Sequence, residues 1–197
     1  MQEENFSPIE SLQLIKSMIK QAKNRFTENG FLYLLWGWLI LFCSVGHFAL
    51  IKLQWFTHPE IIWASCWIAI IFQVIYLSKS NRKEKVKTYS DEIINYIWVS
   101  FGVCMFVTGV ILERLQYWDR LSAFYLLLYG IPTFLSGVVM KFTPLKIGGI
   151  ICWSLAIISV YLSPLYGLLL LGAAVAAAGI IPGYMMRTKF NKENNEV

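Results

Sequence analysis

The residues best suited to chemistry are two histidines and four cysteines, and they are sparsely placed. His47 stands four positions after Cys43, which puts the two on one face of a helix. Joined by His58, Cys66 or Cys104, they could compose a metal site, since imidazole and thiolate are the natural ligands of zinc and similar ions. No recognised ligand spacing accompanies them. A hydrogen-bonded interior histidine is therefore the default expectation for His47. Plain packing is the default for Cys43, Cys66, Cys104 and Cys152, all of which fall inside apolar runs. No Walker, Gly-x-Ser-x-Gly, His-Glu-x-x-His or dinucleotide-binding pattern occurs. The glycine pair of Gly179-Ile-Ile-Pro-Gly183 lies in an apolar run, where it cannot cradle phosphate. The expectation is a protein that is not an enzyme, with no catalytic, metal or cofactor residues.

The elements that would hold such groups are easier to read. After Asn29-Gly30 the chain runs from Phe31 to Ile51, 21 residues, without an Asp, Glu, Lys or Arg. As a helix that is roughly 31 Å, the thickness of a bilayer's hydrocarbon core. Further uncharged runs follow at Ile61–Ser78, Ile93–Leu112, Leu121–Met140 and Ile147–Met186. The last is 40 residues, too long for one crossing, and Ser163-Pro164-Leu165-Tyr166-Gly167 supplies a turn in its middle. Pro132 is expected to kink the fourth span by removing a helix hydrogen bond. With 57% hydrophobic and 15% charged residues, too little polar sequence remains to cover such runs in water. The fold expected is all-α: a polytopic membrane protein of six transmembrane helices, at about 31–51, 61–78, 93–112, 121–140, 147–163 and 165–186. They form one domain, 29–186, between an N-terminal amphipathic helix (1–28) and a polar tail (187–197).

That first segment carries a capping-box pattern, Ser7-Pro8-Ile9-Glu10. A stripe of apolar residues from Ile9 to Phe26 follows at helical spacing, with Lys16, Lys20, Lys23 and Arg25 on the other faces. Such a helix lies on anionic lipid, or packs on the bundle or a partner. With six spans, the side holding both termini bears 14 of the 17 basic residues, Arg82, Lys83, Lys85 and Lys87 among them. The positive-inside rule then makes both termini cytoplasmic. It also explains the net charge of +5. The basic loop lacks stacking aromatics and sits beside the bilayer, so direct nucleic-acid binding is not expected. Trp55, Trp63, Tyr117 and Trp118 are assigned to the outer interface, and Tyr76, Tyr96, Trp98 and Tyr184 to the inner one.

The second half of the chain echoes the first. Phe31-Leu-Tyr-Leu-Leu-Trp-Gly37 matches Phe124-Tyr-Leu-Leu-Leu-Tyr-Gly130. Cys66-Trp67 with its run to Ser78 matches Cys152-Trp153 with its run to Ser163. Gly102 and Gly109 share the spacing of Gly172 and Gly179. A 3+3 duplication would be an inverted repeat, with a midplane site between halves near Gly37, Gly102, Gly130 and Gly172. The competing reading makes these glycines, with Gly179 and Gly183, points of close helix approach.

At Glu28–Leu39 the wording ENGFLYLLWGWL, after a capped basic helix, resembles small uncharacterised multi-span membrane proteins of Bacteroidota. The resemblance extends over most of the chain in length and span layout and carries no activity. It implies a bacterial inner-membrane protein. It also implies a regulatory pairing, because such proteins often sit beside a small winged-helix transcriptional regulator.

Two functions are expected from these observations. The first is a scaffold or sensor that binds a soluble cytoplasmic partner through Lys16, Lys20, Lys23, Arg25, Arg82, Lys83, Lys85 and Lys87. The alternative is a small channel or facilitator for an uncharged or lipophilic solute. Membrane lipid is a partner in either case, and a homo-oligomer is compatible with both.

Overall fold

The computed structural model describes the backbone of residues 8–83 and 89–195, and the side chains of residues 30–79 and 92–189. Within these residues every regular element is helical: α1 (Pro8–Leu53), α2 (Ser65–Lys83), α3 (Tyr89–Arg114), α4 (Leu121–Val139), α5 (Thr143–Tyr161), α6 (Pro164–Val175) and α7 (Ile181–Asn195). Short 3-10 turns at Pro59–Ala64 and Trp118–Arg120 lead into α2 and α4, and a π-helical segment, Ala176–Ile180, joins α6 to α7. Among the described residues six stretches are long and apolar enough to cross a membrane: Gly30–Leu53, Pro59–Lys79, Glu92–Arg114, Trp118–Val139, Thr143–Tyr161 and Pro164–Lys189.

The turns follow from local chemistry. Leu162 and Ser163 are extended, and Pro164 opens α6, where a missing N–H costs nothing. The 40-residue apolar run therefore divides at Ser163. At the ends of α3 and α4 the chain reverses through left-handed residues, Gln116 and Lys141. Phe142 N donates to Gly137 O and Lys141 N to Val138 O, the paired bonds that close a helix terminus. Tyr117 N to Leu112 O and Gln116 N to Glu113 O repeat the arrangement. Neither reversal uses glycine, so neither was visible as a glycine stop signal.

α1 passes through Asn29-Gly30 without a break and spans 46 residues, roughly 69 Å of helix. The N-terminal segment expected as a separate amphipathic helix and the first span are thus one element. A single glycine costs a helix only about 1 kcal/mol, and Gly30 packs against Gly183 and Met186. The expected cap residue Ser7 lies outside the described residues. α4 likewise continues through Pro132, whose ring is fully buried.

Spans 1 and 6 pack antiparallel through small residues. Gly30 meets Gly183, Gly37 meets Gly179 and Ile180, and Ser44 meets Gly172. Gly30 and Gly183 therefore mark one end of the bundle, here the terminal end; the other is the distal end. α4 and α5 form a hairpin of the same kind. Gly130 lies against Gly149 and Trp153, and Gly137 against Leu145 and Lys146. The sixth span runs between α1 and the α4–α5 hairpin. A Cβ on Gly148 of α5 would stand 2.7 Å from Ala178 Cα, so α5 rests directly on the π-helical backbone. The Ala176-Ala-Ala-Gly179 sequence permits this, because it carries no side chain larger than a methyl to hold helices apart.

The two triplets of spans pack differently. α4 lies along α5 through its length, whereas α1 meets α2 and the turn before it at separate points, with Phe31 against Phe72 and Tyr76 at the terminal end and Cys43 near the distal end. There Cys43 Sγ lies 3.2 Å from Ser65 Oγ and 3.6 Å from Ile62 O. Midway along, Trp36 Nε1 donates to Gln73 Oε1. Spans 2 and 3 stand at the periphery with Trp67, Ile68, Phe72, Val103 and Phe106 turned outward.

Candidate functional site

The groups with metal-ligating potential meet only in part: the Cys66 thiol lies against that of Cys43, and no third ligand joins the pair among the described residues. His47 Nδ1 accepts a hydrogen bond from Trp63 Nε1 at 3.0 Å, which puts the imidazole proton on Nε2. His58 Nδ1 lies 2.9 Å from Glu60 Oε1 on an exposed turn. Cys43 faces Ser65, Cys152 is buried among Leu126, Ala156 and Leu171, and Cys104 is exposed on α3. Among the described residues no three His, Cys, Asp or Glu side chains come together as metal ligands.

The seven glycines assigned to packing or to a midplane site fall on separate seams. Gly37, Gly172, Gly179 and Gly183 line the contact between spans 1 and 6. Gly130 belongs to the α4–α5 hairpin, and Gly109 approaches only the Tyr125 hydroxyl. Gly102 meets nothing within 4 Å and faces outward. They do not converge on one cavity. Close approach accounts for every one that touches a neighbour.

A polar cluster forms instead toward the terminal end. Tyr33 of α1, Trp98 of α3, and Tyr129 and Ser136 of α4 meet there. Tyr33 and Trp98 ring centroids are 5.7 Å apart, and those of Trp98 and Tyr129 6.1 Å. Tyr33 Oη faces Ser136 Oγ and the Trp98 indole, yet Tyr33 Oη and Ser136 Oγ are buried without a hydrogen bond of normal geometry. Neither oxygen has water-sized space beside it, so the cluster is a clasp between helices rather than a ligand cavity. Thr133 Oγ1 donates to Tyr129 O at 2.8 Å, the usual fate of a hydroxyl inside a helix. The rings of Trp98 and Trp63, assigned to the inner and outer belts, both turn toward the bundle.

Those basic residues assigned to a partner whose backbone is described sit beyond the bundle. Lys85 and Lys87 lie outside the described residues. Lys16, Lys20, Lys23 and Arg25 ride on the first half of α1, and Arg82 and Lys83 on the last turn of α2. Their side chains also lie outside the described set. Both segments leave the membrane-spanning region at the terminal end.

Between α3 and α4 a side-opening groove of about 410 Å³ is walled almost entirely by apolar side chains. No sequence signal marks it, because Ser100 and Cys104 look like ordinary small residues of an apolar span. Tyr33, Ser44, Ser136 and Gly148 were also missed as contact residues. The recurrence Gly30–Gly37–Ser44 at seven-residue spacing is the signal that could have found the first seam. Compared with protein-family models, curated proteins and solved structures, the chain matches none.

Proposed function

We propose that this is a non-enzymatic integral membrane scaffold or sensor whose cytoplasmic surface binds a soluble protein, a regulatory one in the simplest case. The observation that carries the reading is the continuity of α1. One helix includes both the basic amphipathic segment and the first span, and that span is seated on span 6 through Gly30, Gly37 and Ser44. A displacement of the bundle seam would therefore be felt along a rigid rod at the partner-binding end. A partner bound there would bias the seam in return, because coupling between sites is reciprocal. The positive-inside bias supports a bacterial inner-membrane location with both termini cytoplasmic.

Two variants test the reading, by native mass spectrometry of tagged protein extracted gently from its own membranes. Deletion of residues 1–26 is expected to remove a stoichiometric soluble partner. Asn29→Pro, which breaks the rod and leaves the basic segment intact, is expected to retain the partner while uncoupling it from the bundle. A wild-type protein that comes off as a bare oligomer overturns the proposal. A facilitator for an uncharged or lipophilic solute is the second reading, and the groove between α3 and α4 favours it, since it opens toward lipid. Flux that survives deletion of residues 1–26 would support that alternative.

A further inference from the structure

The groove between α3 and α4 differs from the rest of the peripheral surface. Elsewhere spans 2 and 3 present convex ridges of Ile, Phe and Trp, which lipid can cover without ordering. Here Ile93, Tyr96, Ser100 and Cys104 form one face of α3, and Ile131 and Leu135 the opposing wall on α4. Small Ser100 and Cys104 leave the space, while the rings of Trp98 and Phe101 wedge against Tyr129 and hold the helices at that separation.

Its dimensions select an occupant. From Ile93 to Cys104 is eleven helical steps, roughly 16 Å along the helix. Half of a hydrocarbon core is roughly 15 Å. The groove starts near the membrane surface at the terminal end and stops near the bilayer centre, so it is one leaflet deep. Its walls expose 42% of Ile131 and 39% of Leu135, apolar surface facing hydrocarbon. At its mouth the Tyr96 hydroxyl donates to Glu92 at 3.5 Å, so the polar end is at the headgroup level. We infer that the α3–α4 groove is a lipid-binding site that holds one acyl chain of a glycerophospholipid from the terminal-side leaflet. A second copy of the chain fits less well, because a helix of about 10 Å diameter cannot enter a slot between two helices in contact.

The inference does not depend on a cytoplasmic partner, and its test reads lipid alone. The full-length protein is placed in nanodiscs of phosphatidylethanolamine and phosphatidylglycerol. These contain a trace of phospholipid with a diazirine in mid-chain, and photolabelled peptides are mapped after irradiation. Label is expected to concentrate on residues 93–104 and 128–135, and to fall about tenfold in Cys104→Phe and Ser100→Phe, which fill the groove. Gly102→Phe, facing open space on the same helix, is expected to leave the label in place. Label spread evenly over the outward faces of α2 and α3 is bulk lipid only and overturns the inference. So does labelling unchanged in both filled variants, and so does an efficient Cys104–Cys104 cross-link between copies.

Discussion

Spans 1 and 6 meet through Gly30, Gly37, Ser44, Gly172, Gly179 and Gly183, while spans 2 and 3 turn tryptophan, isoleucine and phenylalanine outward. Span 6 has 44% of its central window buried, against none in span 3, although their mean hydropathies, 2.1 and 1.8, are close. Hydropathy therefore does not decide which helix is central. In lipid there is no hydrophobic gain from pairing helices, so contact follows where backbones can approach. Small residues permit that approach; bulky ones are satisfied by acyl chains. The sixth span is the extreme case, where an Ala-Ala-Ala-Gly stretch adopts a π turn and receives α5 on one side and α1 on another.

The contrast can be broken most severely at Gly148. A Cβ there meets Ala178 Cα at 2.7 Å, a backbone atom that cannot rotate away. Gly148→Val is expected to cost about 3 kcal/mol, the upper end for overpacking. Thermal unfolding in mild detergent, followed by thiol reagent reaching the buried Cys43 and Cys152, measures it. An unchanged midpoint for Gly148→Val would remove the basis for calling this seam the core.

Ser44→Ala comes next. Its hydroxyl donates to Leu168 O across the seam of spans 1 and 6, and the loss should be about 1 kcal/mol of global stability. Gln73→Leu removes a comparable bond, from Trp36, but on the periphery. It should leave the unfolding midpoint nearly unchanged and instead speed hydrogen exchange in α2. If the two substitutions behave alike, spans 2 and 3 belong to the same cooperative unit as the rest.

Lys141→Gly sharpens the comparison in the other direction. Lys141 ends α4 with φ of 52°, a conformation that favours glycine, and the substitution should stabilise the α4–α5 hairpin by up to about 1 kcal/mol. The smallest effect is expected for Gly102→Val. It stands on the same helix as Gly109 but faces open space, so its cost should stay within about 0.5 kcal/mol.

Much of the fold was legible. Each of the six expected spans overlaps a stretch long and apolar enough to cross a membrane, with ends differing by a few residues. The division at Ser163-Pro164 was found because proline cannot donate within a preceding helix. The identity of the core was not legible. Gly37 and Gly102 look equivalent in sequence, each a glycine in an apolar span, yet one presses on Ile180 and the other touches nothing. Repeat matching pointed at the same residues, but the triplets it aligns pack differently, α4 along α5 and α1 only at points on α2.

The sequence by itself determined where the helices are and that they belong in a membrane. Each segment's transfer into lipid is a local sum over its own side chains, and the positions of proline and charge are local too. Only the tertiary structure decided that Gly37 faces Gly179, that Tyr33 reaches Ser136, and that α3 and α4 stand apart over Ser100 and Cys104. Those relations depend on shape matching between distant segments. Among apolar helices already surrounded by hydrocarbon, no residue's own chemistry specifies its neighbour.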